Sequence, residues 1–206
     1  MKKFFAATLV TLLLLTTTTF AAQMPDNITV MQALSERHSS RNFVERDLTE
    51  SQLTKILWAA NGINRHDGKR VVPVANGVFS VDVYAVTREG VYRYDPMSNG
   101  LMLIVAGDYR MTTTTGQSFV GKAAVNLVFI ETPDAWLSAK HQPPREVQIA
   151  CANITVGAMI QSVALAAQTE GLGNCVRGSI NREEFAKVAG VRAENILLAQ
   201  SVGFTK

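Results

Sequence analysis

The run REVQIACANITVGAMIQSVALAAQT, residues 145–169, is followed by Glu170-Gly171-Leu172-Gly173 and preceded by Pro143-Pro144. The prolines and glycines punctuate a single long helix from Arg145 to Thr169. It is apolar around its circumference rather than along one stripe. A membrane span is one reading of such a helix. Gln148, Asn153, Gln161 and Gln168 interrupt it, and each is costly in lipid. A helix buried on most sides in a soluble protein fits better. In one small domain, such burial is easiest when a second subunit covers one face, so the helix points to a dimer.

Upstream, Ala123 to Ile130 is nearly continuous apolar sequence and predicts a buried central strand. Phe79 to Thr87 alternates apolar and polar residues, as a half-buried strand does. Glu89-Gly90 turns it into a second strand, Val91 to Tyr94, making a hairpin. Leu101 to Val105 fits either a further strand or a packed linker. The Thr-rich stretch from Gly107 to Gly121 carries no clear period. Near the start, Val30, Met31 and Leu34 predict a short helix over 29–35. Thr49 and Gln52 form a capping-box pattern, with Leu48 and Leu53 as a staple, ahead of a helix to Ala60 stopped by Gly62. Downstream, Val176 to Ile180 is a short strand or loop. Asn181 and Glu184 start a helix that Gly190 ends, and Ile196 to Val202 is a closing strand. This order predicts an α+β layered domain with a mixed sheet.

Lys2 and Lys3, the apolar run Phe4–Leu15 and the small residues Ala21-Ala22 read as a secretory signal over 1–22, leaving one domain over 23–206. The apolar run is short of the roughly 20 residues that span a bilayer. Without the two signal lysines the formal charge of +3 falls to +1, which gives no support for nucleic-acid binding. Export permits a disulfide between Cys151 and Cys175, but two free, buried thiols are the expected state. His38, His66 and His141 are scattered and suggest no metal site.

Chemistry concentrates in Arg37-His38-Ser39-Ser40-Arg41. Two guanidiniums flank hydroxyls, a donor set suited to phosphate. The plainer reading is a solvated helix end. No Ser/His/Asp or Cys/His constellation stands out, and Asp82 and Tyr84 read as strand residues.

The stretch from Arg37 to Phe43, with the capped helix behind it, resembles the opening of the FMN-dependent nitroreductase superfamily. Ile56 to Arg65, Gly68-Lys69-Arg70 and the hairpin Asp82-Val83-Tyr84 to Asp95 are similar to its thiazoline and oxazoline dehydrogenase-like branch. Gly171 to Gly178 resembles the family loop beside the isoalloxazine ring, and Gln200 to Lys206 its final strand and lysine. The resemblance covers nearly the whole chain after the signal. It implies a dimeric layered fold with a central mixed, mainly antiparallel sheet flanked by helices.

It also implies an oxidoreductase in which flavin N5 exchanges hydride or electrons with a small-molecule substrate. The electron donor would be NAD(P)H or, after export to the periplasm, another source. Arg37, His38, Ser39 and Arg41 would hold the FMN phosphate, ribityl chain and pyrimidine edge. Arg177 and Gly178 would offer backbone N–H groups near N5 and O4, and Lys206 would approach the phosphate. Arg70 is a further candidate. The family's Pro-Ser-x-x-Asn segment is matched by Pro73-Val74-Ala75-Asn76-Gly77-Val78-Phe79. There Ala75 and Asn76 would meet the flavin, with Val74 in the serine's place and the asparagine shifted by one. The alternative function is a non-catalytic, exported flavin- or ligand-binding protein on the same scaffold.

Overall fold

This computed structural model describes residues 28–206, so the export signal expected over 1–22 lies outside the described residues. Two capping boxes start the first two helices among the described residues. In α1, Val30–Glu36, Thr29 and Gln32 exchange side-chain and backbone bonds. In α2, Glu50–Asn61, Thr49 and Gln52 do the same, satisfying N–H groups that a helix start leaves open. α3 spans Arg145–Thr169 and α4 spans Arg182–Ala189. The Asn181 side chain caps α4, and Gly190 ends it in the left-handed conformation.

Six strands form one sheet: β1 Val81–Val86, β2 Gly90–Asp95, β3 Gly100–Ala106, β4 Val125–Glu131, β5 Gly173–Arg177 and β6 Ile196–Gly203. Their order is β3-β2-β1-β4-β6-β5, and every ladder between them is antiparallel. Among the described residues, the parallel component of the expected mixed sheet is a single bridge, Ser39 to Asn174. Leu101 to Val105 belongs to a true strand. The Thr-rich stretch folds as two short 3-10 turns, Arg110–Thr113 and Ser118–Gly121. The strand expected at Val176 begins three residues earlier. Gly171, at φ 66, turns the chain out of α3 and straight into pairing with β6.

The pleat sends alternate residues to two cores. Val83, Ala85, Leu127 and Phe129 pack under α2 and α3. Tyr84, Val86, Val128 and Ile130 pack under Phe185 and Ala189 of α4. β4 is buried along its whole length, as its nearly continuous apolar sequence predicts, with Asn126 and Glu131 buried among the apolar residues.

α3 has the length and hydropathy of a membrane span. Ala152, Val156, Met159, Val163 and Ala167 nevertheless build one of its faces into the core. The expectation of burial on most sides is corrected within this single chain. Among the described residues, α1, α2 and the sheet make the main contacts with α3, and Ile154 on its other side is 73% exposed. Cys151 and Cys175 are both free.

A polar knot sits inside the apolar layers. Arg177, 3% exposed, donates to Ser201 Oγ, to the Thr113 carbonyl and hydroxyl, and to Asn126 Oδ1. Burial is the main cause that pushes this guanidinium down to about 10. The knot ties β5 to β4, β6 and the turn at Arg110–Thr113. That turn is itself fixed by a two-pronged Arg110–Asp108 contact and by Arg110 Nη1 donating to the Ala123 carbonyl.

Arg177→Met is expected to cost about 3 kcal/mol, because it leaves buried acceptors without donors. Urea unfolding monitored by circular dichroism measures the cost. The hydrogen bonds from Arg110 hold the Asp108 carboxyl below the ordinary carboxylate range. A depressed folded-state value adds stability above the unfolded value, and that stability is lost as pH falls through the folded one. Asp108→Asn is therefore expected to lower the urea midpoint at pH 7 and to narrow the gap between midpoints at pH 7 and pH 3.

Candidate functional site

The corner after α1 is fixed by backbone, not by its own side chains. Arg37 closes α1 with its N–H on the Ala33 carbonyl. The chain then runs extended between β5 and the segment that follows β6. Ser40 N–H donates to the Asn174 carbonyl at 2.7 Å, and Val44 N–H to Phe204 at 2.9 Å. Lys206 N–H returns a bond to the Asn42 carbonyl at 3.2 Å, and Phe43 bridges to Thr205. Phe43 is buried against Phe119, with ring centroids 6.1 Å apart. The approach is close enough to require glycine at position 173. A Cβ there would lie 2.3 Å from Thr205 Cγ2 and 2.8 Å from Ser40 Cβ.

This clasp places Arg41, Lys206 and Lys122 around one cavity of about 430 Å³, with Asn42 and Ser118 beside them. Among the described residues, no carboxylate forms an ion pair with any of the three cations. Three uncompensated cations on a concave surface complement a phosphate. Arg37 is half-buried, and His38 and Ser39 are exposed on the same extended segment, short of this cavity. His38 Nδ1 lies 2.8 Å from the Glu36 carbonyl, which orients the ring. The sequence reading did not find Lys122. It lies at the end of the stretch that shows no period, and only the folded 3-10 turn at Ser118–Gly121 brings it to Arg41.

The other expected contacts lie elsewhere. The Arg177 side chain is committed to the buried knot, so only its backbone is free to meet a ligand. Beside it, Gly178 is exposed, with open space where a Cβ would stand. Ala75 and Asn76 belong to a short 3-10 turn, Ala75–Gly77, in which Asn76 takes φ 52. Asn76 lines a second, larger cavity of about 690 Å³ with Phe79, Ser138, Lys140 and His141. Lys140 and His141 bring an amine and an imidazole to that cavity, and neither stood out in the sequence. Arg70 stacks behind it, its guanidinium 4.5 Å from the Phe79 ring centre, with Nε and Nη1 buried and unpartnered among the described residues. Burial pulls the Arg70 guanidinium below its ordinary value. One chain therefore presents the expected site in two halves, a cationic cavity and an Asn76 cavity, that do not share a wall.

Known proteins give this geometry a context. A model of the nitroreductase family matches residues 34–204. The chain is 34% identical to a nitroreductase of Ralstonia eutropha JMP134 known from its crystal structure, with a TM-score of 0.78 over 87% of this chain and 84% of that one. The Escherichia coli microcin synthetase McbBCD complex aligns at 18% identity and a TM-score of 0.69, covering 100% of this chain and 79% of the matched one. A Desulfovibrio desulfuricans nitroreductase in complex with FMN aligns at 16% identity and a TM-score of 0.59, covering 87% of each chain. With the model matching from the end of α1 to the end of β6, the chain belongs to the nitroreductase family.

Proposed function

We propose that this protein is an FMN-dependent oxidoreductase that acts as a homodimer on a small molecule after export to the periplasm. The observation that carries the flavin reading is the convergence of Arg41, Lys122 and Lys206, without counter-ions, on one cavity at the clasp. A flavin phosphate needs such a set, and the FMN-bound Desulfovibrio relative lends the cofactor its identity. Arg41, Lys122 and Lys206 would hold the phosphate. Arg37, His38 and Ser39 would serve the ribityl chain and the pyrimidine edge. The backbone at Arg177 and Gly178 would face the ring, where the absent Cβ leaves room for close approach. FMN supplies two-electron hydride chemistry, and the protein supplies binding, orientation and electrostatics. Export places the enzyme away from the nicotinamide pool of the cytoplasm, which favours a donor other than NAD(P)H.

Two features support the dimer. Val30 and Met31 on α1, and Ile154 on α3, are 68, 73 and 73% exposed, and α1 packs directly on α3. A large exposed apolar face marks an interaction surface. A two-fold pairing through it would bring the Asn76 cavity of one protomer to the cationic cavity of its copy, closing the divided site. Lys140 and His141 would then stand where a substrate meets the ring, placed to give or take a proton.

The purified protein is expected to be yellow, with a flavin band bleached by dithionite and by a physiological donor. A colourless protein that refuses added FMN would sink the flavin reading. Arg41→Ala and Lys206→Gln should each weaken FMN binding about tenfold, or about 1.4 kcal/mol, as read by fluorescence quenching on titration. The dimer has its own test. Ile154→Glu should sediment as a monomer and lose most of its flavin. A variant that stays dimeric, or a monomer that keeps full flavin affinity, rules out the shared site.

A further inference from the structure

The Asn76 cavity, of about 690 Å³, has a fixed frame. One wall is the segment that enters β1, with the turn Ala75–Gly77 and Phe79. The other is the segment that leaves β4, a 3-10 turn over Pro133–Ser138 that runs on to Lys140 and His141. The sheet sets their separation. Val81 pairs with Glu131, and Thr132 N–H donates to the Ser80 carbonyl at 2.9 Å. Trp136, 1% exposed, anchors the second wall in the interior. A concave site of this size, held by rigid elements, suits a small molecule.

Its charge is one-sided. The Lys140 ammonium lines it with the His141 imidazole, the Asn76 carboxamide and the Ser138 hydroxyl, and no carboxylate does. Among the described residues, Lys140 enters no ion pair. The acids nearby are turned away or taken. Asp134, on the same turn as Ser138, lines a different cavity. Glu131 is held by both terminal nitrogens of Arg145.

A second cation stands behind the first wall. The Arg70 guanidinium lies 4.5 Å from the centre of the Phe79 ring, and Phe79 lines the cavity. Arg70 Nε and Nη1 are buried and have no hydrogen-bond partner among the described residues. Asp82 and Asp95 act on this guanidinium through space but give it no acceptor. Asp82 pairs with Arg93 at 3.7 Å, and Asp95 accepts from Met97 N–H at 3.0 Å and Ser98 Oγ at 2.7 Å. Buried donors are nearly always satisfied, so an open guanidinium beside the cavity points, independently of Lys140, to an anionic ligand.

The charge count selects the anion. Three cations line the phosphate cavity, whereas Lys140 is the one fixed cation lining this one. A single charge matches a carboxylate better than a phosphate. Val78, Phe79 and Ala135 supply apolar area, and the Phe79 ring offers a face to a planar group.

We infer that the Asn76 cavity takes a small planar carboxylic acid as its substrate class, the carboxylate at Lys140 and the ring on Phe79. The inference rests on reading this cavity as the substrate half of the proposed site. Isothermal titration of the purified protein with benzoate, and with benzamide as the neutral isostere, tests it. Benzoate is expected to saturate and to bind about tenfold tighter than benzamide, the worth of one charge-assisted hydrogen bond. Lys140→Gln should erase this preference by weakening benzoate alone, and Lys140→Arg should restore it. Lys140 is exposed, so both variants should keep the thermal midpoint of the parent. Arg41→Ala should keep the ratio of the two affinities. The inference is overturned if the probes bind alike, if benzoate does not saturate, if Lys140→Gln keeps the preference, or if Arg41→Ala abolishes it and so moves the carboxylate to the cationic corner. The flavin band of the same samples separates the two readings. A colourless protein that prefers benzoate through Lys140 sinks the flavin reading and leaves the carboxylate site standing. A yellow protein that binds both probes alike overturns the carboxylate site alone.

Discussion

The close passage of residues 39–44 between β5 and the end of β6 is the constraint on which the rest of the site depends. It leaves no room for a side chain at Gly173, whose Cβ would strike both Ser40 and Thr205. Segments far apart in the sequence are held together by main-chain bonds from Ser40 to Asn174, Val44 to Phe204 and Lys206 to Asn42. Main-chain bonds fix direction as well as distance. Arg41 and Lys206 thus point into one cavity without any side chain having to arrange them. A cationic corner assembled this way resists the mutual repulsion of its own charges, because the sheet, and not the cations, sets the spacing.

The polar knot beneath that corner completes the restraint. Arg177 emerges from the same strand that carries Asn174, the residue that Ser39 and Ser40 meet. Its guanidinium pulls the Thr113 turn onto β4 and β6. The turn leads on to Ser118–Gly121 and then to Lys122. A buried cation that touches no ligand therefore fixes where the third exposed cation stands. Such networks favour a single arrangement, because each member leaves an unsatisfied group if it moves.

Much of this was legible in the sequence, for local reasons. The Thr49 and Gln52 cap, the Asn181 cap, the Gly190 stop and the full span of α3 are written in short-range signals that no tertiary contact overrides. The nearly continuous apolar run of β4 correctly announces a central strand, whereas β1, whose alternation predicts a half-buried strand, is covered on both faces because α4 packs over Tyr84 and Val86. What could not be read was whatever depends on residues far apart. The start of β5 was missed because Gly173 and Asn174 look like a turn until β6 lies beside them. Lys122, Lys140 and His141 carry no local signature, and only the folded turns bring them to their cavities. Arg177 was named for its place in a motif, yet its side chain turns inward. Position in a motif fixes the backbone and leaves the side chain's direction open.

The two halves of the site obey different physics, and this bears on how the family diversifies. The cationic half rests on sheet hydrogen bonds and a glycine that cannot change. The Asn76 half rests on a short turn in which Asn76 and Gly77 both take positive φ, followed by Phe79 stacked on Arg70. Turns of that kind tolerate substitution wherever φ is respected, since few core contacts rest on them. Val74 can therefore stand where the wider family carries serine without disturbing the cationic corner. On the proposed reading, a scaffold divided in this way would keep its grip on the phosphate constant and leave the surface that meets the substrate free to vary. The Arg-rich opening should then be preserved in chains whose Pro73–Phe79 segments differ, and substrate choice should follow the turn together with Lys140 and His141, not the clasp.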